Sequence, residues 1–288
     1  MAQVLAVSGD VRHGFAFKTS FNHDFGRITG IAATTMGNIL LCDYDNKKLI
    51  LVDPLGTYLN KLNVESEPFD VAITSQNIGY ITQPNSRSVL RIDPDQMVVL
   101  NKAASIDPSM SVICASAVPN SGLDRPNKVP CYLGVNLKTS LYAYPVNDYY
   151  IPLTDEKGQI RSKGIVIDPR VVKFHAVEVG HLLSCICGQS YIKGTKHTPG
   201  LPLYQYTVNI ETILTPTDIC SDNNGHIYVS GQSSNNIHRL TQDRKVLDIP
   251  LDSRHYIKQP VALCFNTNYD KLYVVNDWGK TVLVFDVI

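Results

Sequence analysis

The sequence predicts an all-β protein, a single six-bladed β-propeller over residues 1–288, and three observations support this fold class. One pattern recurs six times, its apolar stretches are short and bounded by turn residues, and no stretch has the 3.6-residue apolar period of a helix. Repeats of roughly 40 to 50 residues in an all-strand chain are typical of propeller blades, which bury their faces only against neighbouring blades.

The repeat begins with Pro-x-Asp-Val/Ile-Ala/Cys, continues after a short turn with Ile/Leu-Tyr-Val, and closes with a strand that ends in Asp. Its clearest copies start at Pro68, Pro216 and Pro260. The equivalent central positions are Leu40, Tyr80, Tyr132, Leu183, Tyr228 and Tyr273, which are 40, 52, 51, 45 and 45 residues apart. The predicted units are 28–67, 68–107, 108–170, 171–214, 215–258 and 259–288.

The last unit ends at Ile288, directly after its third strand, so it lacks a fourth. The segment 11–20, around Phe15-Ala16-Phe17-Lys18, precedes the first unit and has no blade of its own. We therefore predict that this N-terminal strand closes the last blade, which removes an open sheet edge. The fourth unit departs from the pattern, and we expect a long loop between Ser184 and Thr207.

Composition narrows the function. The formal net charge is zero, so no global field recruits nucleic acid, an anionic membrane or an acidic substrate. No apolar run is long enough to span a bilayer and no secretory signal is visible, which predicts a protein that does not bind membranes. Seven cysteines without the dense spacing of a disulfide scaffold predict a reduced, cytoplasmic compartment.

The cysteines are interpreted as packing residues. Cys220 and Cys264 stand in first strands where earlier units have Ala32 and Ala72, and Cys114 is expected at the same position. A site that accepts Ala or Cys is a tight packing position, where a thiol acts as a small hydrophobe. The remaining cysteines and the eight histidines show no metal-ligand spacing and no nucleophile motif matches. The sequence therefore predicts no catalytic residues, no metal and no cofactor.

Asp70 and Asp218 are the sharper case, because first-strand residues can point toward the central channel of a propeller. A calcium-dependent lactonase or esterase would need several carboxylates and amides to converge there. The equivalent positions in the first and sixth units are Gly30 and Ala262. Both aspartates are interpreted as strand-entry anchors, and the calcium-dependent enzyme is kept as an alternative.

Loops between the second and third strands are expected to form one rim that binds a partner. The candidate binding residues on it are aromatic, cationic or amide side chains, with the only tryptophan among them. They are Tyr44, Lys47, Lys48, Arg87, Lys138, Tyr191, Lys193, Lys196, Asn235, Asn236, Trp278 and Lys280.

Two segments carry a family resemblance. The run Gly37-Asn38-Ile39-Leu40-Leu41-Cys42-Asp43, followed by Asn46, and the run Gly225-His226-Ile227-Tyr228-Val229 resemble NHL repeats. The stretch Cys-Asp-x-x-Asn-Lys-Lys resembles the C-terminal NHL propeller of tripartite-motif ubiquitin ligases. The resemblance implies a domain that recognises protein or RNA, with any ligase activity in a longer parent protein.

These observations predict a non-catalytic recognition or scaffold propeller, not an enzyme, that binds a protein partner through its loop rim. The resemblance implies that this would be the substrate-recognition part of a ubiquitin-ligase-type protein. Binding of single-stranded RNA through the same rim is the first alternative. The calcium-dependent lactonase or esterase is the second.

Overall fold

A computed structural model describes residues 13–104, 110–119, 130–137, 140–146 and 164–288, and in these ranges the chain forms 24 strands. The first to be met, β1 (Phe15–Phe21), belongs to the last blade. The first blade is β2 (Ile28–Ala33), β3 (Ile39–Asp43), β4 (Lys48–Val52) and β5 (Tyr58–Asn63). The second is β6 (Asp70–Ile73), β7 (Gly79–Gln83), β8 (Ser88–Asp93) and β9 (Val98–Ala104).

The other four blades repeat this order; in the described ranges Ser253–His255 is a 3₁₀ helix and Asp277–Gly279 is a turn with positive φ throughout. The third blade is β10 (Met110–Ala117), β11 (Cys131–Leu137), β12 (Ser140–Val146) and β13 (Ile165–Ile167). The fourth is β14 (Val171–Glu178), β15 (His181–Ile186), β16 (Tyr191–Lys196) and β17 (Tyr204–Asn209). The fifth is β18 (Pro216–Ser221), β19 (Ile227–Gly231), β20 (Asn236–Leu240) and β21 (Val246–Leu251). The sixth is β22 (Ala262–Phe265), β23 (Lys271–Asn276) and β24 (Thr281–Val287), completed by β1.

Six antiparallel four-stranded sheets close into a ring, so the predicted six-bladed β-propeller is confirmed. The first strands lie side by side around the axis in the order β2, β6, β10, β14, β18 and β22, and β22 returns to β2. The predicted closure is also confirmed, because β1 pairs with β24 from Phe15 opposite Val287 to Phe21 opposite Val282. No helix in the described part of the chain is long and apolar enough to cross a membrane.

The recurring residues of the repeat have specific structural roles in the blades. The buried ring of Tyr80 lies opposite the small Ala72 in the neighbouring strand, and Tyr228 lies opposite Cys220 in the same way. An Asp at the end of a third strand holds the following turn: Asp53 Oδ1 accepts hydrogen bonds from the backbone N–H groups of Leu55 (2.9 Å) and Thr57 (2.7 Å).

The interpretation of the cysteines as packing residues needs two corrections: Cys187 is exposed, and Cys114 does not take the alanine position. Cys220 and Cys264 pack where predicted, and burial raises the pKa of both thiols. Cys114, however, lies opposite Gly134, and Ser116 takes the alanine position opposite Tyr132. Cys114 precedes Tyr132 by 18 residues, whereas the equivalent Asp70 precedes Tyr80 by ten, so the insertion in this unit hid the alignment from sequence comparison. All seven cysteines are free.

The fourth unit corrects a second prediction. The segment expected to be a long loop contains β16 and β17, which pair from Tyr191 opposite Asn209 to Lys196 opposite Tyr204. Half of β16 is polar, and Gly194 interrupts its apolar pattern. The ring of Tyr206 lies directly over Gly194, where a β-carbon would overlap it. This cross-strand aromatic cover supplies the packing that the glycine lacks.

Candidate active site in the channel

One position is equivalent in all six first strands, which lie side by side around the channel. In the first, second, fourth and fifth blades it lies ten residues before the central Leu or Tyr of the repeat. Around the ring the position is occupied by Gly30, Asp70, Cys114, Lys173, Asp218 and Ala262. Two carboxylates and one ammonium group therefore occupy equivalent positions of three blades.

These three groups meet in a buried ionic cluster. Lys173 Nζ lies 3.1 Å from Asp70 Oδ1 and 3.5 Å from Asp218 Oδ2. The side chains are 7%, 7% and 13% exposed for Lys173, Asp70 and Asp218, so water contributes little screening. The cluster joins blades two, four and five across the channel.

Both aspartates also bind the next blade. Asp70 Oδ2 accepts a hydrogen bond from the backbone N–H of Ala115 (3.1 Å), and Asp218 Oδ2 accepts one from that of Leu263 (2.9 Å). Asp218 Oδ1 also accepts a hydrogen bond from the backbone N–H of Ile219 in its own strand (2.9 Å), whereas the side-chain contacts of Asp70 are with the third and fourth blades. The strand-entry role of both aspartates stays a prediction. The sequence interpretation omitted the ion pairs that both aspartates form with Lys173.

The protonation state of the cluster follows from its burial. Burial raises the pKa of Asp218 to about 6, although the ammonium group of Lys173 opposes that shift. Burial alone would lower the pKa of Lys173, but Asp218 and Asp70 hold it above its ordinary value. Lys173 stays cationic throughout the physiological range and balances the carboxylates.

The cluster does not fit a calcium ion. Calcium takes six to eight oxygen ligands, whereas here the two channel carboxylates converge on the ammonium nitrogen of Lys173. Among the described residues, no group of three or more His, Cys, Asp or Glu side chains could hold a metal. Lys173 occupies the point at which a cation would have to bind, so we derive no calcium-dependent chemistry.

Beyond the cluster the channel widens into a cavity of about 600 Å³. All six first strands line it, together with residues of the turns between first and second strands, among them Thr35, Ser75 and Thr267. No loop between second and third strands contributes to its lining in the described part of the chain. The cavity therefore extends toward the rim opposite to the one predicted to bind a partner.

A histidine and a serine form a pair in the cavity wall. His175 Nε2 lies 3.0 Å from Ser221 Oγ, across the junction between blades four and five. Burial lowers the pKa of His175 to about 4, so its imidazole is neutral at physiological pH. A neutral imidazole in contact with a hydroxyl can accept the hydroxyl proton, which is the arrangement used in nucleophilic catalysis by serine.

Several predicted rim residues bind neighbouring loops. The hydroxyl of Tyr44 accepts a hydrogen bond from Asn85 Nδ2 (3.0 Å), and the Arg27 guanidinium lies 4.6 Å from the centre of the Tyr44 ring. Lys47 pairs with Glu67 at 3.1 Å. These contacts join the first and second blades.

The junction of the last blade with its neighbours is built in the same way. Asn235 Oδ1 accepts a hydrogen bond from the backbone N–H of Gln259 (2.7 Å), and Lys280 Nζ donates to the carbonyl of Gly26. Trp278 is 51% exposed and has a left-handed backbone, with a φ of 57°.

The remaining rim candidates are less available for binding. Lys48 begins β4 and lies 3.6 Å from the buried Asp43, and Asn236 is itself buried. Arg87 lies in its turn with a φ of 53° and a buried Nε atom that has no partner among the described residues. Lys138 lies outside the described residues.

The candidates in the fourth unit lie on a strand and do not form a rim loop. Tyr191, Lys193 and Lys196 lie on β16, where Lys193 pairs with Asp168 at 2.6 Å. Lys196 ends the strand near Glu178 (3.5 Å), at the opposite end of the blade. The structure therefore does not bring the eleven described candidates together.

Sequence reasoning missed Lys173, His175 and Ser221. A signal was available, because Lys173 lies ten residues before Leu183, as Asp70 lies before Tyr80. The same count places His175 at the position that four other units fill with alanine or cysteine and the third unit fills with Ser116. The irregular fourth unit concealed this register, so its cation was not aligned with the aspartates.

Solved structures with this fold match nearly the whole chain. A streptogramin B lyase structure has a TM-score of 0.63 and 13% sequence identity, covering 95% of this chain and 98% of its own. Selenomethionine-substituted virginiamycin B lyase from Staphylococcus aureus gives the same TM-score and identity, covering 95% of this chain and 100% of its own. At this identity the match shows the fold. No protein-family model and no curated protein matches the sequence.

These comparisons correct the expectation that the chain is not an enzyme. That prediction treated the propeller as a pure recognition scaffold, whereas the two solved structures described above, which match over nearly the whole chain, are lyases, which are enzymes. The absence of a linear catalytic motif was its main ground, and the His175–Ser221 pair is assembled from two blades that no linear motif spans. The propeller part of the NHL resemblance is confirmed, and membership of the NHL or tripartite-motif family is not.

Proposed function

We propose that the protein is an enzyme that cleaves an ester bond, including that of a lactone, in a small substrate bound in the channel cavity. The observation that carries the proposal is the 3.0 Å contact between His175 Nε2 and Ser221 Oγ in the wall of that cavity. Catalysis by lyases of the same fold supports an enzymatic role. The esterase part of the earlier alternative is kept, without its calcium ion.

In this proposal the Ser221 hydroxyl transfers its proton to His175 Nε2 while its oxygen attacks the acyl carbon. The proton then passes to the departing alkoxide, and a water molecule hydrolyses the acyl-serine with the imidazole again as base. A pKa of about 4 makes the imidazole a weak base. The substrates should therefore be esters with good leaving groups, such as aryl esters and strained lactones.

The test is hydrolysis of p-nitrophenyl acetate and of an aryl-fused lactone by the purified chain and its variants. Ser221→Ala and His175→Ala should each lower the rate by at least about a hundredfold. Ser75→Ala, which changes another cavity serine with no histidine partner among the described residues, is the matched control and should retain full activity. A fluorophosphonate should label Ser221, as read by mass spectrometry.

Two results would contradict this mechanism. Equal rates for the Ser75→Ala and Ser221→Ala variants would exclude Ser221 as the nucleophile. The alternative is elimination with His175 as the base. It would be indicated if His175→Ala loses activity, Ser221→Ala retains it, and the product has gained no water.

We also propose a second function, binding of a protein partner at the opposite rim, as the NHL resemblance implies. The specific observation is Trp278, which is half-exposed in a turn whose residues Asp277, Trp278 and Gly279 all have positive φ. Strained backbone of this kind clusters at functional sites, and tryptophan is a common interface anchor. In a ligase-type parent protein this rim would select the substrate.

Quantitative capture with the purified chain as bait tests this second proposal. Proteins lost with Trp278→Ala but retained with Leu201→Ala, an exposed apolar residue elsewhere, would support it. An identical set for both baits would remove Trp278 from the binding surface. Saturable, salt-dependent binding of single-stranded RNA that Trp278→Ala abolishes would assign the rim to RNA instead.

A further inference from the structure

A second concave site lies on the outer surface, between blades four and five, away from the channel. It is a cleft of about 500 Å³ formed by β17 and by the turn between β20 and β21. Its main side chains are Tyr204 and Tyr206 from the strand and Arg244 from the turn. We refer to it as the tyrosine-arginine cleft.

The aromatic wall of the cleft is fixed in place. Tyr204 and Tyr206 alternate along β17, so they share a face, and their rings stack with centroids 5.7 Å apart at 29°. The hydroxyl of Tyr206 lies 2.7 Å from His181 Nε2, and its ring covers Gly194. Tyr204 is 63% exposed, which leaves a flat aromatic surface open to a ligand.

Within the described residues, the cation of the cleft has no counterion. Arg244 stacks on Tyr206, with 5.3 Å between the guanidinium carbon and the ring centre. No carboxylate of the described residues pairs with it, since Asp243 pairs with Lys245 and Glu178 with His181 and Lys196. The Nε atom of Arg244 is buried and has no hydrogen-bond partner in the described part of the chain.

His181, which lies beside the guanidinium of Arg244, adds no negative charge to the cleft. Arg244 Nη2 lies 3.4 Å from His181 Nε2, and burial together with the charge of Arg244 lowers the pKa of His181. Burial raises the pKa of Tyr206, which keeps its hydroxyl protonated. A buried donor of a cation without an acceptor is costly, and an anion would satisfy it.

We propose that the tyrosine-arginine cleft binds a small anion that carries a planar ring, with the ring on Tyr204 and a phosphate or carboxylate on Arg244. Arginine pairs such groups in a fork, and an aromatic face accepts any flat ring by stacking. The proposal does not depend on ester cleavage in the channel, because the two sites share no lining residue.

Titration with phenyl phosphate, inorganic phosphate and phenol tests the site in the intact chain. Phenyl phosphate should bind more tightly than either half alone and shift the NMR signals of Tyr204 and His181. Arg244→Gln should weaken it by about tenfold or more, and Arg244→Lys, which keeps the charge but loses the fork, should fall between. Tyr204→Leu should reduce binding of phenyl phosphate but leave that of inorganic phosphate unchanged.

Arg254→Gln is the matched control, because Arg254 is an exposed arginine that already pairs with Asp252 at 2.7 Å. It should bind phenyl phosphate as the unmodified chain does. The proposal is overturned if phenyl phosphate shows no saturable binding up to roughly 10 mM, or if Arg244→Gln and Arg254→Gln weaken it equally. Thermal unfolding of each variant checks that Arg244→Gln and Tyr204→Leu are folded.

Discussion

The two ends of the channel use their polar side chains differently. At the rim of the loops between second and third strands, polar groups join neighbouring blades, as Lys47 does with Glu67 and Asn235 with the backbone of Gln259. At the other end, His175 and Ser221 line an open cavity. Polar residues in propeller loops are therefore not by themselves evidence of a binding surface, since many of them hold the ring together.

The buried cluster between the two ends should give the largest effect of a single substitution. Lys173→Met leaves Asp70 and Asp218 buried together without their cation, which should lower the free energy of unfolding by about 3–5 kcal/mol. Urea unfolding measures it. The matched control is Lys271→Met at the surface pair with Asp286, which should cost no more than about 1 kcal/mol.

A rescue experiment separates charge from packing at the cluster. Adding Asp70→Asn and Asp218→Asn to Lys173→Met removes the uncompensated carboxylates and should recover most of the lost stability. If the triple variant is as unstable as Lys173→Met alone, the ammonium group is not what balances the aspartates.

At the cavity end, stability should depend on pH through His175. Its pKa is about 4 in the folded chain and about 6.5 when unfolded, so the unfolded state binds more protons between these values. The contribution of the neutral imidazole to the free energy of unfolding is complete above pH 6.5 and is lost as the pH falls toward 4. Between pH 7 and 4.5 the chain should lose about 2–3 kcal/mol more than His175→Gln does.

Denaturant unfolding at several pH values measures this difference. His197→Gln, a change of an exposed histidine, is the control. Parallel pH profiles for the unmodified chain and His175→Gln would mean that the imidazole is not held neutral by burial.

At the rim end the expected effects are smallest. Asn235→Gly keeps the left-handed backbone of this position but removes the acceptor for Gln259, which should cost about 1 kcal/mol. Lys47→Met removes an exposed ion pair and should change stability by less than about 1 kcal/mol. A loss of several kcal/mol from Lys47→Met in thermal or urea unfolding would contradict the assignment of the larger energies to the channel.

The fold was predictable because its signals are local. Tyr80, Tyr228 and Tyr273 mark second strands directly, and the strand-like segment 11–20, which belongs to none of the six units, predicted the closure by β1. The candidate site was not predictable in the same way. Lys173 pairs with Asp70 of the second blade and Asp218 of the fifth, and the polar strand β16 concealed the register of its own unit. The cluster and the His175–Ser221 pair therefore depend on contacts between blades, which the repeat pattern does not show.

The Lys173 cluster also changes how the ring should lose its structure. In repeat proteins stability is close to a sum of unit terms and nearest-neighbour terms, and single units can open by themselves. Lys173 and Asp70 belong to blades four and two, which are not neighbours. This second-neighbour coupling penalises the detachment of any one of the joined blades, so melting of the ring should be cooperative rather than a blade-by-blade fraying.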